Sequence, residues 1–142
     1  NGRLAPEKME RIKVAVQSCF ASDQYRLEAT EYGGHARVLA KQAVMEGVPT
    51  IVAAGGDGTV HEVMQELAGT SCRLGIIPTG SGNGLARHCG IPLAVPEAVK
   101  LIETATPVPI DLGRINDIYF ISNAIKFRFI WFCPFSSKKR IN

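Results

Sequence analysis

Thr50-Ile51-Val52-Ala53-Ala54-Gly55-Gly56-Asp57-Gly58-Thr59-Val60-His61-Glu62 is the stretch from which the rest of the chain is read. A short apolar run with β-branched residues, closed by three glycines and followed at once by a helical pattern, predicts a buried strand, a tight turn and a helix start. Glycines let backbone N–H groups approach a ligand, and the first turn of the following helix adds unpaired donors and the positive end of its dipole. The natural occupant of such a turn is an anion. Asp57 then stands in conflict with its surroundings, because a carboxylate beside phosphates repels them unless a cation or a hydroxyl donor lies between. A Mg²⁺-nucleotide removes the conflict.

Beyond this turn, Val60, Val63, Met64 and Leu67 fall at i, i+3, i+4 and i+7 and predict a helix with one buried face. Thr59 and Glu62 have the spacing of a capping box at its start. Leu74 to Ile77 reads as a second apolar strand, Pro78 to Gly84 as a second glycine-rich turn, Leu85 to His88 as a short helix, and Pro96 to Glu103 as a helix with Val99 and Ile102 on one side. Upstream, Glu7 to about Cys19 is a helix carrying Met9, Ile12, Val16 and Cys19 on one face. The alternation of Tyr25 to Thr30 predicts a strand. His35 to Met45 is a helix with Val38, Leu39, Gln42 and Met45 at helical spacing. Downstream, Ile110 to Ile115 and Ile118 to Ser122 flank Asn116-Asp117 and predict a β-hairpin. Strands alternating with helices imply an α/β fold, a three-layer α/β/α arrangement with a mostly parallel sheet. Both glycine turns then lie at carboxyl ends of strands and line one crevice.

Composition narrows the partners. With 142 residues, 46% hydrophobic and 20% charged, the chain is long enough to bury a proper core. A formal charge of +3 is too slight to carry nucleic-acid binding by itself, so no nucleic-acid partner is expected. Cys19, Cys72, Cys89 and Cys133 have no paired metal-ligand spacing and read as reduced thiols, which points to the cytoplasm. No run of about 20 uninterrupted apolar residues exists, so membrane contact, if made, is peripheral.

The glycine turns are neither a Walker A loop, since no Gly-Lys-Ser/Thr occurs, nor a dinucleotide fingerprint, since Gly80-x-Gly82-x-Gly84 has the wrong spacing. Gly55-Gly56-Asp57-Gly58-Thr59 resembles a signature shared by diacylglycerol-type lipid kinases, NAD kinases and phosphofructokinases. The further stretch Gly75-Ile76-Ile77-Pro78-Thr79-Gly80-Ser81-Gly82-Asn83-Gly84-Leu85-Ala86-Arg87, with Gly90-Ile91-Pro92 and Ile110-Asp111-Leu112-Gly113, narrows the resemblance. Together these motifs resemble the catalytic domain of the diacylglycerol kinase, sphingosine kinase and bacterial lipid kinase family, over about Thr30 to Ala124.

The resemblance implies the N-terminal domain of an NAD kinase or phosphofructokinase-like fold that binds ATP and Mg²⁺, with a lipid hydroxyl as acceptor. It places Thr30, Gly55, Gly56, Asp57, Gly58, Thr59, Val60, His61, Glu62, Gly80, Ser81, Gly82 and Asn83 at the nucleotide, with Asp57 as the catalytic and metal-binding carboxylate. It also implies a first strand with an Asn-Pro-containing glycine loop, of which Asn1-Gly2-Arg3 matches only the end. A second, β-rich domain, which would bear the lipid surface and the base, is implied as well and is not found in this sequence. A nucleotide-binding domain is therefore expected over residues 1–124, and an aberrant or disordered tail over residues 125–142. That tail mixes Phe127, Phe129, Trp131, Phe132 and Phe135 with Lys126, Arg128 and Lys138-Lys139-Arg140, a composition that also suits an anionic bilayer surface. Two other functions fit the first motif alone: an NAD kinase-like domain, and a nucleotide-binding module without catalysis. Simpler roles stand beside the sharp ones. Glu62 can serve only as a cap, His61, His35 and His88 as surface residues, Asp111 as the end of a strand, and Asp57 as a turn former.

Overall fold

A computed structural model of the chain describes residues 4–121. Its centre is a pair of parallel strands, β1 (Thr50–Gly55) and β2 (Arg73–Pro78), joined through helix α3 (Asp57–Leu67). Successive strand residues point to opposite faces, and the sequence supplies an apolar residue for each. Ala53 and Ile76 face α3 and α2 (His35–Met45), in a core with Ala36, Ala40, Val60, Val63, Leu67 and Ala86. Ala54 and Ile77 face the other way, onto Ile12, Ala15 and Val16 of α1 (Pro6–Cys19) and Val99 of α5 (Val95–Thr104). The three-layer α/β/α arrangement is thus present, with helices packed on both faces of the sheet.

The helices follow local chemistry. Pro6 and Pro96 sit in the first turns of α1 and α5, where a missing N–H costs nothing and φ is already helical. The predicted buried stripe of α3, Val60, Val63, Met64 and Leu67, is buried throughout. A last pair, β3 (Gly113–Ile115) and β4 (Ile118–Phe120), forms the expected hairpin, with Arg114 opposite Tyr119. Asn116 and Asp117 both have positive φ, at 47° and 64°. That is a type I′ turn, whose twist suits a two-residue hairpin.

Three expectations are corrected. Residues 25–30 form no strand: their alternation is present, but among the described residues neither sheet includes them. Tyr25 instead packs against the α1–α5 core, and Arg26 pairs with Glu28 and Glu46. In α2 the bounds are as expected but the buried face is not. Ala36 and Ala40 are buried, whereas Val38 is 53% and Met45 80% exposed. Alanines let α2 lie close to α3, and the larger residues point outward. The third correction is the capping box. α3 begins two residues before Thr59, with Gly56 as its N-cap and no side-chain cap. The tail beyond Ala124, with Ser122 and Cys133, lies outside the described residues.

Candidate functional site: two glycine loops at the ends of parallel strands

β1 and β2 run parallel, so both deliver their carboxyl ends to one side of the sheet. The ladder continues one step past β2, where the Thr79 N–H donates to the Gly55 carbonyl at 3.0 Å. The chains then turn against each other with almost no separation. A Cβ placed on Gly80 would lie 2.5 Å from the Gly56 Cα, and one on Gly56 would lie 3.3 Å from the Gly80 Cα. Carbon atoms in ordinary contact keep about 3.5–4.0 Å. Both neighbours are backbone, so neither can swing aside. Gly55 is constrained too, since its Cβ would meet the Thr59 hydroxyl at 2.5 Å.

Gly58 behaves differently. Nothing among the described residues lies within 4 Å of where its Cβ would stand, and its φ is not in the left-handed region. It sits in the first turn of α3, where the helical bonds start only with Val60 N–H donating to the Gly56 carbonyl at 3.1 Å. The N–H groups of residues 57–59 therefore have no partner within the helix. Together they form a donor cluster with open space over Gly58, at the positive end of the helix dipole.

Asp57 joins the two loops. Its Oδ2 accepts from Gly84 N–H at 3.0 Å and its Oδ1 from Leu85 N–H at 3.2 Å, so the carboxylate of α3 caps the short helix α4 (Gly84–His88) from across the crevice. Those backbone donors, Gly84 before Leu85, hold its pKa below the ordinary carboxylate value. A Cβ on Gly82 would come within 3.1 Å of Oδ2, which keeps the second loop close to this carboxylate.

The second loop is tied from within. Asn83 is 7% exposed and left-handed at φ 52°. Its Nδ2 donates to the Gly80 carbonyl at 2.7 Å, and its Oδ1 accepts from Gly80 N–H at 3.0 Å. The side chain closes the loop like a peptide group and points inward, while Ser81 and Gly82 remain exposed. Lys8 of α1 donates to the Thr79 carbonyl at 2.8 Å, and Arg87 Nε donates to the Gly82 carbonyl at 3.0 Å. Neither Lys8 nor Arg87 stands out in the sequence as a loop tether, because a backbone carbonyl leaves no motif.

Gly55, Gly56, Asp57, Gly58, Thr59, Gly80, Ser81, Gly82 and Asn83 are therefore gathered at one place. Val60 contributes backbone only, since its side chain is buried in the core. Glu62 does not reach back to the start of its helix. Its Oε1 accepts from Gly34 N–H at 3.0 Å, which fastens the entrance of α2 to α3, alongside the Arg37–Glu66 pair at 2.5 Å. Thr30 is half-buried and lies shortly before that entrance. His35 stacks on Tyr32, with ring centroids 4.5 Å apart, and its Nδ1 accepts from Glu31 N–H. His61 is exposed on α3 one turn beyond Asp57, and Asp111 is exposed just before the hairpin.

A resident metal would need more carboxylates than are here. Among the described residues no three His, Cys, Asp or Glu side chains stand together to hold an ion. One carboxylate is nonetheless enough for Mg²⁺ that arrives on phosphates, because that ion keeps most of its waters and takes one or two protein ligands. The two Asp57 oxygens accept from the Gly84 and Leu85 N–H groups, and a carboxylate offers about four lone-pair sites in all. The donor set fits such an ion.

Two parallel strands ending in apposed glycine loops, with an open helix N-terminus beside one carboxylate, define an α/β domain. Residues 3–115 match the diacylglycerol kinase catalytic domain family, and the chain belongs to it. It is 38% identical over 121 residues to a protein of Serratia proteamaculans described as "Probable lipid kinase YegS-like", covering 81% of this chain and 40% of that one. It is 41% identical over 99 residues to a diacylglycerol kinase of Bacillus subtilis, covering 68% of this chain and 33% of that one. The crystal structure of a diacylglycerol kinase from Bacillus anthracis superposes with a TM-score of 0.71 at 30% identity, covering 80% of this chain and 39% of that one. The chain spans between a third and two-fifths of the length of these relatives. These matches do not favour the NAD kinase-like reading. No helix among the described residues is long and apolar enough to cross a membrane.

Proposed function

We propose that this chain is the ATP-binding half of a lipid kinase that moves the γ-phosphate of ATP to a lipid hydroxyl of the diacylglycerol or sphingoid kind. The observation that carries this is Gly58: an unhindered glycine inside a helix N-terminal turn, beside N–H groups that lack helical partners and within reach of the second glycine loop. Among the described residues the packing gives no reason for a glycine here. Close approach of a phosphate supplies one.

In this reading the N–H groups of residues 57–59 hold the phosphate oxygens of the donor nucleotide. Ser81 and Gly82, exposed on the facing loop, bound it from the other side, and Thr30 and His61 lie farther along its length. Asp57 would hold Mg²⁺, which on binding neutralises charge as the phosphoryl group is transferred. The Gly84 and Leu85 N–H groups keep Asp57 ionised and fix its position, so it is a ready anchor and not a base. The acceptor site and the base belong to the part of the family's length that these residues do not cover. Glycine loops alone place only the donor, and misplacement of the reacting groups by about 1 Å costs on the order of 10²-fold in rate. We place the protein in the cytoplasm, touching membrane only at its surface.

Two measurements test this. Calorimetry with ATP and Mg²⁺ is expected to show weak binding, and a folded chain that takes up no nucleotide would sink the reading. Radiolabelled ATP offered with diacylglycerol, monoacylglycerol or sphingoid micelles is expected to give no labelled lipid from this chain alone. Robust lipid phosphorylation would refute the assignment to a half-site.

A further inference from the structure

Helix α3 carries a second connection, away from the glycine loops. Gln65 Oε1 accepts from the Tyr119 N–H at 2.9 Å, and Gln65 Nε2 donates to the Tyr119 carbonyl at 2.6 Å. The carboxamide thus pairs with β4 as a neighbouring strand would, and it is part-buried in doing so. Nε2 also lies 3.1 Å from His61 Nε2, one turn back on the same helix. Asp57, His61 and Gln65 follow at i, i+4 and i+8, so one stripe of α3 runs from the phosphate loop to the hairpin.

We infer that Gln65 is a positioning residue that locks the β3–β4 hairpin onto α3 and, through the same amide, fixes His61 as the neutral Nδ1–H tautomer. The orientation of an amide is decided by its partners. Here the partners decide it unambiguously, since a flipped Gln65 would set an NH₂ against the Tyr119 N–H and an oxygen against the Tyr119 carbonyl. With the orientation fixed, one Nε2 hydrogen goes to the Tyr119 carbonyl and the second points to His61. His61 Nε2 must then accept, which leaves the ring proton on Nδ1. His61 therefore keeps Nε2 occupied as an acceptor and offers a proton donor from its other nitrogen. It is not a base acting through Nε2. The hairpin cannot leave α3 without releasing that tautomer, so the position of residues 113–120 is registered one turn from Asp57.

This inference goes beyond the kinase reading and stands without it. The test is a two-bond proton–nitrogen correlation spectrum of the ¹⁵N-labelled chain at mildly alkaline pH, where imidazoles are neutral. The wild type is expected to show His61 as Nδ1–H, and a predominant Nε2–H form would overturn the proposal whatever the variants do. Gln65→Leu is expected to return His61 to the Nε2–H form that free imidazole prefers, and to speed exchange of the Tyr119 amide by about tenfold. Gln65→Glu is expected to force the Nε2–H form, because its carboxylate can only accept. Should Gln65→Leu leave both the tautomer and the Tyr119 exchange rate unchanged in a folded chain, the locking role is wrong. A merely space-filling role for Gln65 would leave the tautomer alone in all three proteins.

Discussion

Gly80→Ala puts the proposed site to its sharpest test. The new methyl carbon would stand 2.5 Å from the Gly56 Cα and 3.0 Å from Asn83 Oδ1, with the peptide N of Gly56 at 3.2 Å. Against an ordinary separation of about 3.5–4.0 Å, the two loops must part by about 1 Å. Forcing a methylene into closed packing costs about 1–3 kcal/mol. Separation also draws the second loop away from Asp57, so nucleotide affinity should fall about tenfold or more, each 1.4 kcal/mol being a factor of about ten. Urea unfolding followed by circular dichroism reads the stability, and calorimetry with Mg²⁺-ATP reads the affinity. The partner experiment is Gly58→Ala, where nothing among the described residues lies within 4 Å of the new methyl. There stability should hold or rise by up to about 1 kcal/mol, as alanine replaces glycine in a helix, while nucleotide binding weakens. A Gly80→Ala chain as stable and as tight as wild type would refute the apposition of the loops. A Gly58→Ala chain with unchanged affinity would refute the placement of phosphate over α3.

Further outcomes follow from the same geometry. Asp57→Asn should weaken binding of Mg²⁺-ATP far more than binding of ATP in the presence of chelator, since the carboxylate helps only through a cation; equal losses by calorimetry in both conditions would remove the metal role. The depressed pKa of Asp57 also sets a pH window: its stabilisation is fully present above the ordinary carboxylate value of about 3.9 and is lost as pH falls through its lower folded value. The gap in urea midpoint between wild type and Asp57→Asn should therefore be constant near neutrality and close only below about pH 4; a gap that closes near pH 6 would mean another group is responsible. Asn83→Ala removes both bonds to Gly80 and leaves alanine at φ 52°, so a loss of about 2–3 kcal/mol is expected in urea unfolding. Asn83→Gly should recover part of it, and equal losses for the two would exclude backbone strain as a cause.

Much of this was legible because it depends on short-range pattern. The β1–turn–α3 unit, the stripe Val60, Val63, Met64 and Leu67, and the clustering of two glycine turns all follow from period and punctuation in the sequence. What was not legible depends on who stands opposite. The alternation of residues 25–30 describes a strand, but a ladder needs a neighbour, and periodicity says nothing of one. Val38 and Met45 fit a helical face as well as Ala36 and Ala40 do, and only the closeness of α3 selects the alanines. Thr59 and Glu62 have capping-box spacing, yet a glycine cap two residues earlier and the Gly34 N–H decide otherwise. At the site, the glycines announced themselves by residue type. The inward turn of Asn83, the Lys8 and Arg87 tethers and the Gln65 clasp did not, because each is a side chain bonded to a distant or unmotivated backbone group.

The closeness of Gly56 to Gly80 also governs how the molecule can open. Backbone atoms that touch without intervening side chains leave no soft layer to shear, and the Thr79–Gly55 bond and the Asp57 carboxylate brace the same seam. The two loops must therefore exchange with solvent as one cooperative unit, so that hydrogen-exchange protection of Gly84 and Leu85 should rise and fall together with that of Thr79. Any closure around a ligand has its hinge elsewhere, along the edges of this seam and not through it.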